Sequence, residues 1–181
     1  MSIAKVSTVK SFNMPSEIIL NLREINSGVQ VGGLRQIEAI LQGKEDSHGF
    51  VGDGWGTHIE GACAEIAVAK CLNLYWEPRV NTYKFKADIG ENIEVRRRSL
   101  HDYDALIRSS DQDNHFFIHV TGKIPKFLVH GWILAADAKK HNEWIKNHGN
   151  RPSAWFVPPS YLKSLEEFPG LNERKIYGKT I

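Results

Sequence analysis

The residues best able to do chemistry lie in one short segment, Lys86-Ala-Asp-Ile-Gly-Glu-Asn-Ile-Glu-Val-Arg96. Tyr83, Phe85 and Ala87 alternate with Lys84, Lys86 and Asp88; after a turn at Gly90, Ile93 and Val95 alternate with Glu94 and Arg96. A period of two predicts a β-hairpin with one apolar and one polar face. If the apolar residues of both strands share a side, Ala87 faces Ile93 or Asp88 faces Glu94. Pairing Asp88 with Ile93 instead would carry a carboxylate onto the apolar side. Register alone therefore brings two carboxylates together, with the Arg96 guanidinium two residues along. Such a pair repels unless a cation joins it or one member takes up a proton. A hard divalent ion prefers this oxygen chemistry, and it can polarise a phosphoryl oxygen or lower the pKa of bound water. A guanidinium beside it can stabilise developing negative charge. The plainer reading is a wet hairpin face with ordinary cross-strand ion pairs.

Glu65 weighs against the plainer reading. The pattern Ile59, Ala62, Cys63, Ile66, Ala69 predicts a helix over about 57–72, with Thr57 as N-cap and Glu60 completing a capping box. On that helix Glu65 lies within roughly 60° of Ala62, Val68, Ala69 and Leu72. An unpaired carboxylate there costs several kcal/mol, so it needs a partner. Lys70, five residues on, is poorly placed; a metal or a basic group from the hairpin fits better.

The elements that must position these groups read as follows. Ile18–Leu22 suggests a short strand, and Gly28, Gly32 and Gly33 suggest turns. Leu34, Ile37, Ile40 and Leu41 have helical spacing, stopped by Gly43. Residues 43–56 hold five glycines and read as a loop, whose 49–56 portion could close over a substrate. Ala105–Ile107, Phe116–Val120, Phe127–Leu134 and Trp155–Val157 read as strands. Ala136–Lys146 and Tyr161–Glu167 read as helices.

A helix Glu65, an Asp88 near the end of one strand and Glu94-Val95-Arg96 on the next together resemble the PD-(D/E)xK nuclease superfamily, the restriction-endonuclease-like fold. The resemblance covers about residues 55–135. The run Phe127–Ile133 is similar to a core strand of uncharacterised phage and bacterial members. The fold implied is α/β, with a central mixed four- to five-stranded sheet flanked by helices. It occupies a single domain, 1–181, with a core at about 55–146 and peripheral additions at 1–50 and 150–181. The activity implied is metal-dependent hydrolysis of phosphodiester bonds, with DNA the expected substrate and a 5′-phosphate product. Asp88 and Glu94 would hold Mg²⁺ or Mn²⁺, Glu65 would join them directly or through water, and Arg96 would take the role of the lysine that positions the attacking water. Two departures matter. Ala87 stands where the family has Pro, a minor change. Arg96 stands where it has Lys, and a planar fork does not present the point charge of an ammonium. This keeps open an alternative: a catalytically silent nucleic-acid-binding or phage accessory protein on the same fold. Dimeric relatives keep a homodimer open.

The remaining features are weaker. Lys84, Lys86 and Arg98 could contact phosphates beside the metal, or could be a solvated, charge-protected strand edge. The eight histidines show no compact zinc spacing, and His58 is the one placed to support Glu65. Trp55 reads as a core anchor before a base-stacking residue. There is no Walker loop, serine-nucleophile motif or dinucleotide fingerprint.

At 181 residues with 41% hydrophobic and 24% charged, the chain has an ordinary globular balance, which excludes wholesale disorder. A net charge of +2 says nothing of partners, so a nucleic-acid binder needs a local basic patch. Cys63 and Cys71, roughly 12 Å apart along one helix, cannot form a disulfide. With no apolar run resembling a leader or a span, the expectation is a soluble, cytoplasmic protein with no membrane partner; the resemblance implies a bacterial host cell and keeps a phage-encoded origin open.

Overall fold

Residues 116–134 form the spine of the structure. Phe116–Lys123 (β4) and Lys126–Leu134 (β5) pair antiparallel across a tight turn with a cis Ile124–Pro125 bond. Ser16–Ile19 (β1) adds antiparallel to β5, and Ile93–Arg98 (β2) adds parallel to β4. The result is a mixed four-stranded sheet in the order β1-β5-β4-β2. β4 is buried on both faces from Phe117 to Gly122, because each face carries its own core. A computed structural model describes residues 14–43, 54–80, 86–149 and 151–169.

Two helices cover one face. Leu22–Leu41 (α1) begins at a capping box. The Asn21 side chain accepts from Arg23 N and Glu24 N, while Asn21 N donates to Glu24. Gly54–Cys71 (α2) lies between α1 and the sheet, so it is buried without a break from Ala62 to Ala69. Ala64, Ala67 and Val68 pack with Ile93, Val95, Ile118, Val120, Phe127 and Val129. A small antiparallel sheet covers the other face: Ala105–Arg108 (β3), Ile145–Lys146 (β6) and Ala154–Val157 (β7), in the order β3-β7-β6. There Phe117 and Ile133 pack with Ala105, Ile107, Val157 and Trp144.

The α/β class and the four-stranded mixed sheet are as expected. Several local expectations are corrected. The first strand is Ser16–Ile19, ahead of the expected 18–22, because Asn21 caps a helix. Gly28, Gly32 and Gly33 are not turns but lie inside α1. A Cβ at Gly28 would collide with the Cys63 Sγ, and one at Gly32 would sit 2.5 Å from Ile59 Cα and 2.8 Å from His58 C. These two glycines let α1 approach α2 closely, which offsets their poor helix propensity. α2 starts before Thr57, so Thr57 is not its N-cap, and Trp55 is a 43% exposed residue of the first turn rather than a core anchor. The expected helix 136–146 is only Ala135–Ala138 (α3), a 3₁₀ turn at Asn142–Trp144 and strand β6. The expected terminal helix is two 3₁₀ turns, Pro159–Tyr161 and Leu165–Glu167. Most of the 43–56 loop lies outside the described residues, as do residues 81–85 of the expected hairpin.

No described helix is long and apolar enough to cross a membrane. The helix interface makes a paired prediction. Gly32→Ala drives a methyl into the α2 backbone and lowers the free energy of urea unfolding by about 1–3 kcal/mol. Gly33→Ala, with nothing within 4 Å of the new carbon, raises it by roughly 0.5–1 kcal/mol.

Candidate functional site

The expected hairpin survives as its turn. Ile89 bridges Ile93 antiparallel, and Ile89 N and Ile93 N donate to each other's carbonyls at 3.0 and 3.3 Å. Continuing this register by one residue places Asp88 across from Glu94, one of the two registers the alternation allows. Ala87, Ile93 and Val95 are buried, and Glu94 and Arg96 are half-buried on the opposite face. Asp88 Oδ2 accepts from Val95 N at 2.8 Å, tying the turn to the head of β2.

Glu94 sits between the Arg96 guanidinium and the His115 ring. Its Oε1 lies 3.1 Å from His115 Nδ1, and its Oε2 lies 3.6 Å from Arg96 Nη1. Burial, then the Asp88 charge, pushes the Glu94 carboxyl above its ordinary range, while Arg96 and His115 oppose this. Arg96 is the anchored member. Its Nη2 donates to Asp111 Oδ1 at 2.9 Å, and its guanidinium stacks 4.8 Å from the Phe117 ring centre. Asp111 is itself positioned by Arg108 N, which donates to Oδ2 at 2.8 Å.

Glu65 is 4% exposed and fully engaged. Arg35 grips it bidentately at 2.5 and 2.9 Å, and Trp76 Nε1 donates to Oε2 at 3.1 Å. Its partner thus comes from α1, with no contribution from a hairpin base. Burial raises the Glu65 carboxyl; the Arg35 hydrogen bond opposes this and the nearby Asp88 charge adds to it. For Arg35 burial works the other way, yet Glu65 and Asp88 outweigh it and hold the guanidinium above its usual value. Arg is the fixed partner, because its guanidinium is not deprotonated in proteins.

Arg35 also donates from Nε and Nη2 to the Arg79 carbonyl at 3.1 and 2.9 Å. Arg79 Nη1 then donates to the Ala87 carbonyl at 2.7 Å and the Gly90 carbonyl at 3.1 Å. A chain of two arginines therefore runs from Glu65 to the turn carrying Asp88. Sequence reading missed Arg35, Trp76, Arg79, His115 and Asp111. Only Glu65's need for a partner signalled that such groups must exist.

The other expected residues spread out. Lys86 is exposed, and Lys84 lies outside the described residues. Arg98 follows Arg96 on the same strand face, packed over Tyr103. Arg97 points the other way, as alternation requires, to Glu60 of α2 at 2.8 Å. His58 lies in α2, its backbone against Gly32 of α1. Among the described residues, no three His, Cys, Asp or Glu side chains form a group that could hold a metal ion.

Behind Arg96, a histidine network runs from buried His119 through half-buried His130 to exposed His101. Thr121 Oγ1 lies 2.7 Å from His101 Nδ1 and 2.6 Å from His130 Nε2, and the His130 and His119 rings are 4.9 Å apart. His119 Nε2 donates to the Tyr103 carbonyl at 2.9 Å. Burial, then His130, lowers the His119 pKa to about 4. A neutral His119 favours the fold, so its contribution is complete above its unfolded value of roughly 6.5 and is lost as pH falls toward 4. The unfolding free energy should drop by about 3 kcal/mol across that window, and His119→Gln should flatten the drop. Separately, Arg35→Met leaves Glu65 buried without its cation and should cost about 3–5 kcal/mol, much of it recovered in the Arg35→Met/Glu65→Met double variant. Comparison with family models, with curated proteins and with solved structures found no match to this chain.

Proposed function

We propose that this chain is a metal-dependent nuclease that hydrolyses phosphodiester bonds, with DNA as its substrate. The observation that carries the reading is the Ile89–Ile93 bridge, whose register brings Asp88 toward Glu94 at the head of β2. Asp88 is held through Oδ2, which accepts from Val95 N. Glu94 is pushed up by burial and by Asp88, so a cation at the pair relieves both carboxylates.

The donor set fits Mg²⁺ or Mn²⁺, which binds through one or two carboxylates and completes its shell with water and phosphate oxygens. Asp88 and Glu94 would hold it. When bound, such an ion polarises a phosphoryl oxygen and lowers the pKa of coordinated water.

The chain's own residues do the rest. Glu65 has both oxygens on Arg35 and Trp76, so it acts as a positioning residue, setting the Asp88 turn through Arg35 and Arg79. Arg96, held by Asp111, presents a fixed positive charge beside Glu94 for the developing charge on a phosphate. His115 holds Glu94 from the other side.

The engagement of Arg96 by Asp111 also supports the alternative, a silent nucleic-acid-binding protein on this fold. One assay separates the two. Purified protein is incubated with linear duplex and single-stranded DNA in Mn²⁺, Mg²⁺ or EDTA. The nuclease reading predicts metal-dependent cleavage that falls at least a hundredfold in Asp88→Asn and in Glu94→Gln, with unchanged unfolding midpoints, and that survives in Arg96→Lys. Cleavage retained by both carboxylate variants would sink the assignment. Wild-type protein that binds DNA and cuts none would move it to the silent module.

A further inference from the structure

Glu94, Arg96 and Arg98 alternate along β2 and share one face, opposite Phe117, His119 and Thr121 of β4. At a rise of about 3.3 Å per residue, Arg98 lies roughly 13 Å beyond Glu94. There it enters a cavity of about 770 Å³, bounded by the loop after β2, by β3 and its following turn, and by the segment leading into β7. That volume is in the range of ligand-binding clefts.

The wall of this cavity is cationic and aromatic. Arg98, Arg108, Lys146 and Arg151 face two carboxylates, Asp102 and Asp104. Lys146 Nζ pairs with Asp104 at 2.9 Å. Arg98 has no carboxylate partner among the described residues. Its guanidinium carbon instead lies 4.8 Å from the Tyr103 ring centre and 6.0 Å from that of Phe156, and Lys146 Nζ lies 5.7 Å from Phe156. Stacking on rings fixes the plane of a guanidinium while leaving its N–H edge for a bidentate acceptor. Phosphate is such an acceptor. Tyr103 lines the cavity and keeps 39% of its surface exposed. Ordinary solvated cations need neither the cavity nor the ring faces.

We propose that this cavity binds a nucleotide, with its phosphate on the Arg98 guanidinium and its base stacked against Tyr103, either free or as one unit of a single strand. The proposal uses none of the residues assigned to hydrolysis and stands or falls apart from them.

The test is run in EDTA with the carboxylate pair intact. A 5′-phosphorylated thymidine hexamer carrying a 3′ fluorophore is titrated by anisotropy, and thymidine 5′-monophosphate is titrated by calorimetry. We expect the hexamer to bind, more weakly as salt rises. Arg98→Ala and Tyr103→Leu should each weaken binding by about tenfold or more, the usual loss for a stacked base or a phosphate contact. Tyr103→Phe, which keeps the ring, and Lys70→Ala, on α2 across the large sheet, should bind as wild type does. Binding of the monophosphate as well would make the free nucleotide a sufficient ligand. Binding of the hexamer alone would assign the cavity to a strand. If Arg98→Ala fails to fold by its urea transition, Arg98→Lys, which keeps the charge but loses the fork, should still weaken binding. No binding of either probe, or equal affinity in wild type, Arg98→Ala and Tyr103→Leu, would overturn the proposal.

Discussion

The buried Glu65 carboxylate organises the helical side of the molecule and the turn beside it. A carboxylate among Cys63, Ala64, Ile66 and Val68 is tolerated only with its charge and lone pairs satisfied. Arg35 meets that requirement with a two-pronged grip, and Trp76 adds a third donor. Three separate segments are thereby pinned to one point: α1 through Arg35, α2 through Glu65, and the extended chain after α2 through Trp76. The remaining donors of Arg35 reach the Arg79 carbonyl, and the Arg79 guanidinium clamps the turn at Ala87 and Gly90. The position of Asp88 is a consequence of how Glu65 is neutralised. The glycines at 28 and 32 belong to the same constraint, because α1 must lie close to α2 for Arg35 to reach Glu65.

Strand β2 divides the protein's labour by alternation. Ile93 and Val95 go to the helix-side core, and Arg97 turns toward Glu60 on that side. Glu94, Arg96 and Arg98 go to the other face. There the second sheet, Asp111 and the Phe117 ring receive them. The polar face is lined by groups that hold each other in place, from His115 at one end to the cavity around Arg98 at the other. A strand in which every second residue is charged can be half-buried only because each charge meets an opposite charge or a ring face.

Much of this was legible before any coordinates. The alternation of Lys86 to Arg96 restricted the facing of Asp88 and Glu94 to two registers, because a one-residue slip reverses every side chain. The placement of Glu65 on the apolar face of its helix followed from angular spacing, and its burial followed from that. The runs 116–120 and 127–134 read as strands because apolar residues dominate them despite His119, His130 and Gly131. What was not legible depended on contacts distant in sequence. Gly28 and Gly32 read as turns because their helical role exists only against α2, whose neighbouring atoms are supplied about thirty residues later. Arg35, Arg79 and Asp111 carry no local signal, since ion-pair choice is decided by tertiary approach. The stretch 135–146 has helical composition, but β6 pairs with β7 and ends the helix early.

The central claim is that Asp88 and Glu94 form a site for a hard divalent cation. Its most direct test is calorimetric titration of Mn²⁺ into the full chain and into an Asp88→Asn/Glu94→Gln variant with the same urea unfolding midpoint. The account predicts a saturable site in the wild type that is absent from the variant. No binding to the wild type with or without added DNA, or equal binding to both proteins, would contradict it and leave the two carboxylates as partners of Val95, His115 and Arg96 alone.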